Sequence, residues 1–421
     1  MDPDDAQPQA SPDAEPDAEP RSYLRRALLV ALATRLALCV VATAATYSFG
    51  VQPVSWAQKL PRLAEPFRGA AGHILNPWAV WDGVWYIKIA SNGYAPEDSS
   101  VAFFPLYPLA VRWTSMLTAG NYVVAGIVLS WVCYFVAVWL LYRLVARELG
   151  HRAAYRTIWF LSIFPTAFYW QAVYSESLFL MLSVACIMWS REGRWKLAGL
   201  AGLLAALTRS TGFMLLVPMA VCYFEQRGWR LRRVDAQAAS LLMVVEGLMV
   251  WMAYLSLGFG KPLLFAQSQE RWRRSLAAPT VGLWQGILSA IQGVRQYLSG
   301  QTRHLYWPAL SRGQVNPQIL ANVINLSAVA IALLAVWYGL RRLPAAYSAY
   351  ALATIIYPLC FPARYVPLTS MPRFVLVAFP IFMSMALFTD RRPRTHVAVS
   401  VLFCLVLAAL TAKFAVFSWV A

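Results

Sequence analysis

Histidine is scarce in this chain. Four are scattered over 421 residues, none at ligand spacing, so a histidine-based metal centre has no basis. The six cysteines (Cys39, Cys133, Cys186, Cys222, Cys360 and Cys404) all lie in apolar segments and read as small core hydrophobes rather than a disulfide framework or metal set. No glycine-rich phosphate loop, Walker motif or HExxH is present, which leaves nucleotide-sugar and ATP chemistry without support and implies no cofactor and no metal. Charge is thin as well: 13% of residues are charged against 59% hydrophobic, too little polar surface for a soluble domain of this size. Acids are the scarcer sign, 19 against 36 lysines and arginines, and seven of those acids crowd into the first 20 residues, which hold no base. Without those seven the net charge of +17 becomes +24 for the remainder.

What the chain has in abundance is apolar length and aromatic rings, with 18 Trp, 20 Tyr and 21 Phe, as expected of a protein with aromatic belts at two membrane interfaces. Residues 1–20 are rich in proline and acid and cannot bury a core, so they are expected to form a disordered tail. The rest, 21–421, reads as a single transmembrane domain. Apolar runs at 23–47, 121–143, 155–171, 175–190, 196–208, 212–224, 237–258, 318–340, 345–361, 373–389 and 395–418 predict an all-α polytopic protein of about eleven crossings, several of them short. With the N-terminus in the cytoplasm, each inner loop is basic: Arg143 to Arg156, Arg191 to Lys196, Arg227 to Arg233, Arg341 and Arg342, and Arg391 to Arg394. The basic excess therefore reads as membrane orientation, not nucleic-acid binding. This pattern requires 103–118 to be re-entrant or to lie along the outer leaflet, and 196–224 to be a short hairpin with its apex at Thr208 to Gly212. Outer loops follow at 48–120, 259–317 and 362–372.

Polar residues at the outer side of apolar segments are the candidates for chemistry, because intramembrane ionisable groups are costly. Asp82 sits between Trp81 and Trp85 in WDGVWYIKIASNGY. Desolvation there raises a carboxylate pKa, as a general base requires; a plain helix N-cap accounts for the same residue. Tyr174, Ser175 and Glu176 form a second polar turn, for which helix capping by Ser175 is the alternative reading. Outer arginines are not explained by orientation: Arg209 at the hairpin apex, Arg271, Arg273 and Arg274 in FAQSQERWRR, and Arg364 and Arg373 in PARYVPLTSMPRF. Guanidinium groups at one membrane depth suit an anionic lipid headgroup, either a substrate or ordinary phospholipid. Glu246, in mid-span, is expected to be buried and paired.

WDGVWYIKIASNGY with AFFPLYPL, then YSESLF, LTRSTG, PLLFAQSQERWRR and SMPRFVLVAFPIF, collinear from Trp81 to Pro380, resemble segments of the PIG-V family, the second mannosyltransferase of GPI-anchor assembly. The resemblance implies a GT-C-type bundle with a large first extracytoplasmic loop and an active site on the lumenal or extracytoplasmic face. It implies a polyprenyl-phosphate-mannose donor, Asp82 matching the family's first-loop acid; with Asp82 as general base, attack opposite the phosphate is expected to invert the anomeric carbon. Tyr174, Ser175, Glu176, Arg209 and Arg373 match other family positions. On this reading Arg209, Arg373 and Arg364 hold the lipid phosphate, and Trp81, Trp85, Tyr174, Glu176, Gln269 and Trp272 line the sugar site. The chain is similar to bacterial PIG-V-like proteins as well, and bacteria make no GPI anchors, so the acceptor implied is a glycan, glycolipid or protein. The membrane is the plasma membrane in a bacterium and the endoplasmic reticulum in a eukaryote. Another polyprenyl-phosphate sugar (glucose or arabinose) on the same fold, or a lipid or anion transporter coupled through Glu246, are the competing functions.

Overall fold

The computed structural model describes residues 20–51, 66–299, 318–364, 366–418 and 420. The acidic tail, apart from Pro20, and residues 52–65 and 300–317 of the two long loops expected at 48–120 and 259–317 lie outside the described residues. Every apolar run named above contains helix, and among the described residues the only β feature is an isolated antiparallel bridge between Arg274 and Ala363.

The expected count of eleven full crossings is not what the helices provide. Among the described residues, five are long and apolar enough to span a bilayer: Arg21–Phe49, Tyr122–Leu149, Ala236–Phe259, Ala321–Gly339 and Pro393–Ala415. A sixth is possible if Met371–Val377 and Pro380–Thr389, bent by 76° at their junction, form one span. The other runs are interrupted. His151–Ile163 has 13 residues and so is about 20 Å long, short of the roughly 30 Å hydrocarbon layer. Pro165 explains its end, since the residue before a proline is driven to extended backbone, and Phe164 has ψ 141°. Hydropathy sees an apolar run and is blind to such breaks.

Segment 103–118 contains the ten-residue helix Leu106–Ser115, also too short to cross. Tyr107 and Val111 are buried in the bundle while Trp113, Met116 and Leu117 point outward. Segment 196–224 doubles back. Trp195 opens helix Trp195–Thr208 and packs edge-on against Tyr223 near the end of helix Leu216–Gln226, ring centroids 5.2 Å apart, so the two ends meet and Arg209 stands at the apex. Gly212 permits the reversal: a Cβ there would come within 2.2 Å of the Ala205 carbonyl oxygen. Gly212→Ala is therefore expected to cost about 1–3 kcal/mol and to displace the Arg209 apex, read as a lower melting temperature in detergent together with lower activity.

Between helices His151–Ile163 and Glu176–Arg191 the chain runs irregularly, and residues 166–175 are all buried. Buried non-helical backbone in such a place must have its polar groups satisfied by neighbours. Arg35, fully buried on the first helix, donates to the carbonyls of Ser162 (2.9 Å) and Ala167. Ser130 donates to Ala172 O at 2.8 Å, Trp170 Nε1 to Leu161 O at 3.2 Å, and Val173 N to Trp78 O at 2.7 Å. This lattice fixes the backbone that carries Tyr174, Ser175 and Glu176.

Helix Glu176–Arg191 also separates two ends of the bundle by about 24 Å. At its far end Arg191 pairs with Glu148 and Glu225, and Arg147 and Arg194 with Glu192. Three of the arginines invoked for the inner face, Arg147, Arg191 and Arg194, thus gather at the end opposite Glu176.

Candidate active site

The 3-10 turn Asn76–Ala79 leads into Trp81, whose φ of 56° and ψ of −120° are strained for a residue with a side chain. Such strain, of order 1–3 kcal/mol, persists only where the surroundings hold it. Here Trp81 packs on Phe417, ring centroids 4.9 Å apart, and the Tyr174 hydroxyl accepts from Asp82 N (3.1 Å) and donates to Val80 O (3.2 Å). The turn starts helix Asp82–Asn92 at Asp82 itself. Asp82 is therefore the first helical residue and not the N-cap, and no side chain caps this helix. Ser175 likewise makes no capping hydrogen bond; its Oγ lies 2.8 Å from the Tyr86 hydroxyl. Burial raises the Tyr86 phenol to about 12, helped by the charge of Glu176, and burial next to Asp82 raises Tyr174 well above its ordinary value, so both remain protonated donors at neutral pH.

The Asp82 carboxylate is not the isolated, desolvated acid that its aromatic flanks suggest. Its Oδ2 lies 2.5 Å from Arg373 Nη1. Arg373 Nε donates to Glu176 Oε1 at 2.6 Å, and Arg209 Nη1 lies 2.5 Å from the same oxygen. The Arg373 guanidinium also stands over the rings of Tyr174 (4.9 Å) and Tyr169 (5.2 Å). Asp82, Arg373, Glu176 and Arg209 thus form one chain of alternating charge drawn from four distant stretches of sequence. Exposure divides the two acids: the Glu176 side chain is 0% exposed and that of Asp82 31%. Among the described residues Asp82 Oδ1 takes no hydrogen bond.

These groups border a cavity of about 390 Å³. Of the residues put forward from sequence, Trp81, Asp82, Trp85, Tyr174, Arg209, Gln269 and Arg373 line it, while Ser175 and Glu176 are buried behind its wall. Arg364 is not brought there: it lines a separate cavity with Arg273 and Gln285. The Trp272 side chain lies outside the described residues. Glu246, expected buried and paired, is exposed on helix Ala239–Phe259 and enters no ion pair among the described residues. Sequence reasoning passed over Tyr86, Phe103, Tyr169, Ser370 and Phe414 as lining residues. They carry no signal as apolar or hydroxyl residues in apolar runs. Arg274, noted among the outer arginines but given no role, also faces this cavity.

Residues 39–246 match the model of the family described as Mannosyltransferase (PIG-V). That stretch, just under half of the chain, is similar to the PIG-V mannosyltransferases. The match includes Asp82, Tyr174 to Glu176 and Arg209, whereas Gln269, Arg274 and Arg373 come from beyond it. The chain is also similar to GPI mannosyltransferase 2 of Drosophila pseudoobscura pseudoobscura, 25% identical over 150 residues, which are 32% of this chain and 33% of that relative. Among solved structures it is similar to the Archaeoglobus fulgidus oligosaccharyltransferase with zinc and sulfate, with 13% identity and a TM-score of 0.42 over 90% of this chain and 53% of that one. The apo form of that enzyme gives 14% and 0.42 over 92% and 56%. The chain thus spans about half the length of these structures, and the likeness is too loose to transfer residues.

Proposed function

We propose that this protein transfers mannose from a polyprenyl-phosphate donor to an acceptor hydroxyl, with inversion, in a site on the extracytoplasmic or lumenal face. The observation that carries the reading is the meeting of a partly exposed carboxylate with guanidinium groups around one cavity of ligand size. The match of residues 39–246 to a mannosyltransferase family supports the sugar, and the separation of this cavity from the basic far end supports the sidedness.

In the proposed step the acceptor oxygen attacks the anomeric carbon from the side opposite phosphate. Its proton passes to Asp82 Oδ1, the bond between the anomeric carbon and the phosphate oxygen breaks, and polyprenyl phosphate leaves with the electron pair. Phosphate is a good leaving group and needs no general acid, so the protein supplies one base, positioning and cations. Arg373 orients the base through Oδ2, and Arg209 and Arg373 line the wall nearest the leaving phosphate. Glu176 is sealed from the cavity and holds both arginines rather than touching substrate. Trp81, Trp85 and Gln269 flank the sugar.

The test is an assay of the purified protein in lipid nanodiscs with polyprenyl-phosphate mannose, glucose or arabinose and with GDP-mannose, supplying a membrane glycolipid and protein extract as acceptor. Release of polyprenyl phosphate with transfer from the mannosyl lipid alone is expected. Transfer from GDP-mannose, or from the glucosyl or arabinosyl lipid instead, would overturn the donor assignment.

A further inference from the structure

Arg274 enters the cavity by an unusual route. Arg273 has φ 56° and reverses the chain. Residues 273–277 then run beside 360–364, through Arg364 N to Arg273 O (3.1 Å), Ser275 N to Pro362 O (3.3 Å) and Ala277 N to Cys360 O (2.9 Å). Side chains alternate across such an extended pair. Arg273 and Ser275 border one cavity, and Arg274 faces the other, with Asp82, Arg209 and Arg373.

Among the described residues the charges around that cavity do not balance. Two carboxylates, Asp82 and Glu176, are matched by Arg209 and Arg373 in the ion-pair chain. Arg274 is left over: it enters no ion pair among the described residues, and its Nε, sealed from solvent, has no hydrogen-bond partner. Burial holds its pKa below the ordinary arginine value; the charge of Arg373 adds to this and that of Asp82 opposes it. A guanidinium held in this way is costly unless an anion completes it.

We propose that Arg274 is the cation that receives the donor's phosphate, and that the single surplus charge selects a phosphodiester monoanion over a diphosphate. This rests on the lipid-phosphate reading above and adds a binding residue to it. A sugar phosphodiester of a lipid carries one negative charge and restores neutrality; a sugar diphosphate carries two and leaves one unpaired. When the bond to the sugar breaks, the phosphate gains a second charge, which the neighbouring Arg209 and Arg373 face.

The experiment measures binding to full-length protein in nanodiscs of three probes: polyprenyl-phosphate mannose without acceptor, neutral polyprenol, and GDP-mannose. Arg274→Gln is expected to weaken the mannosyl lipid roughly 10- to 100-fold, the worth of a charge-assisted hydrogen bond or two, and to leave polyprenol unchanged. Arg274→Lys is expected to recover part of the loss. The ligand-free melting temperature of Arg274→Gln should equal or exceed that of wild type, because an uncompensated charge is removed; a structural arginine would give the opposite result. Wild-type binding of the mannosyl lipid with no loss in Arg274→Gln overturns this inference and leaves the proposed donor standing. Binding of GDP-mannose but not the lipid, lost in Arg274→Gln, keeps Arg274 as a phosphate site, overturns the single-charge selection and removes the lipid donor.

Discussion

Asp82→Asn is expected to lower the rate of mannosyl transfer by roughly 100-fold or more while leaving donor binding within a few-fold of wild type, given what general bases contribute to such steps. The asparagine keeps the shape of the side chain and can still accept from Arg373 Nη1 through its amide oxygen, so the ion-pair chain loses charge but not its geometry. What disappears is the only acidic side chain lining the cavity among the described residues, since Glu176 is wholly sealed behind the wall. Single-turnover kinetics with the mannosyl lipid separate binding from chemistry. Turnover at the wild-type rate in a folded Asp82→Asn protein would remove Asp82 from the mechanism. An equal fall in donor affinity and rate would make it a binding residue instead.

Glu176→Gln is the second large effect, and it falls first on stability. One buried carboxylate oxygen meets both Arg209 Nη1 and Arg373 Nε. Removing its charge leaves Arg209 without an ionic partner and Arg373 with Asp82 alone, and breaking a buried pair from one side typically costs about 3–5 kcal/mol. The variant should melt well below wild type and lose most activity. The double variant Glu176→Gln with Arg209→Gln should be less destabilised than Glu176→Gln alone, because the stranded cation is gone too. A Glu176→Gln protein that melts with wild type would show that the network contributes nothing to holding the apex and helix Met371–Val377 together. Recovery of stability without activity in the double variant would mark Arg209 as needed for function beyond its pairing.

Much of the site was legible residue by residue. Asp82 between two tryptophans, the Tyr174 to Glu176 turn, Arg209 before a glycine and Arg373 after a proline each stood out as polar groups that an apolar segment has to justify. Their partners could not be read. Asp82 and Arg373 are 291 positions apart, and Arg373 and Glu176 197; local pattern carries no information about such meetings. Arg209 and Arg373, read as a free clamp, are two of the four members of an ion-pair chain, with a third cation, Arg274, beside it. Arg364 and Arg373 look alike in one short segment, yet they face different cavities.

The sequence by itself determined the class: composition required a membrane, apolar period required helices, and the distribution of arginine marked two ends. These properties follow from side-chain transfer energies, which are local and additive along the chain. Tertiary structure alone decided how many helices are long enough to cross, that Asp82 is ion-paired, that Glu176 is sealed while Asp82 is open, and which arginine is left without a carboxylate. The physical reason is that electrostatic pairing and burial depend on distance in space, and a fold that breaks its helices at Pro165, Arg209 and Ala378 brings together charges that no sequence window contains.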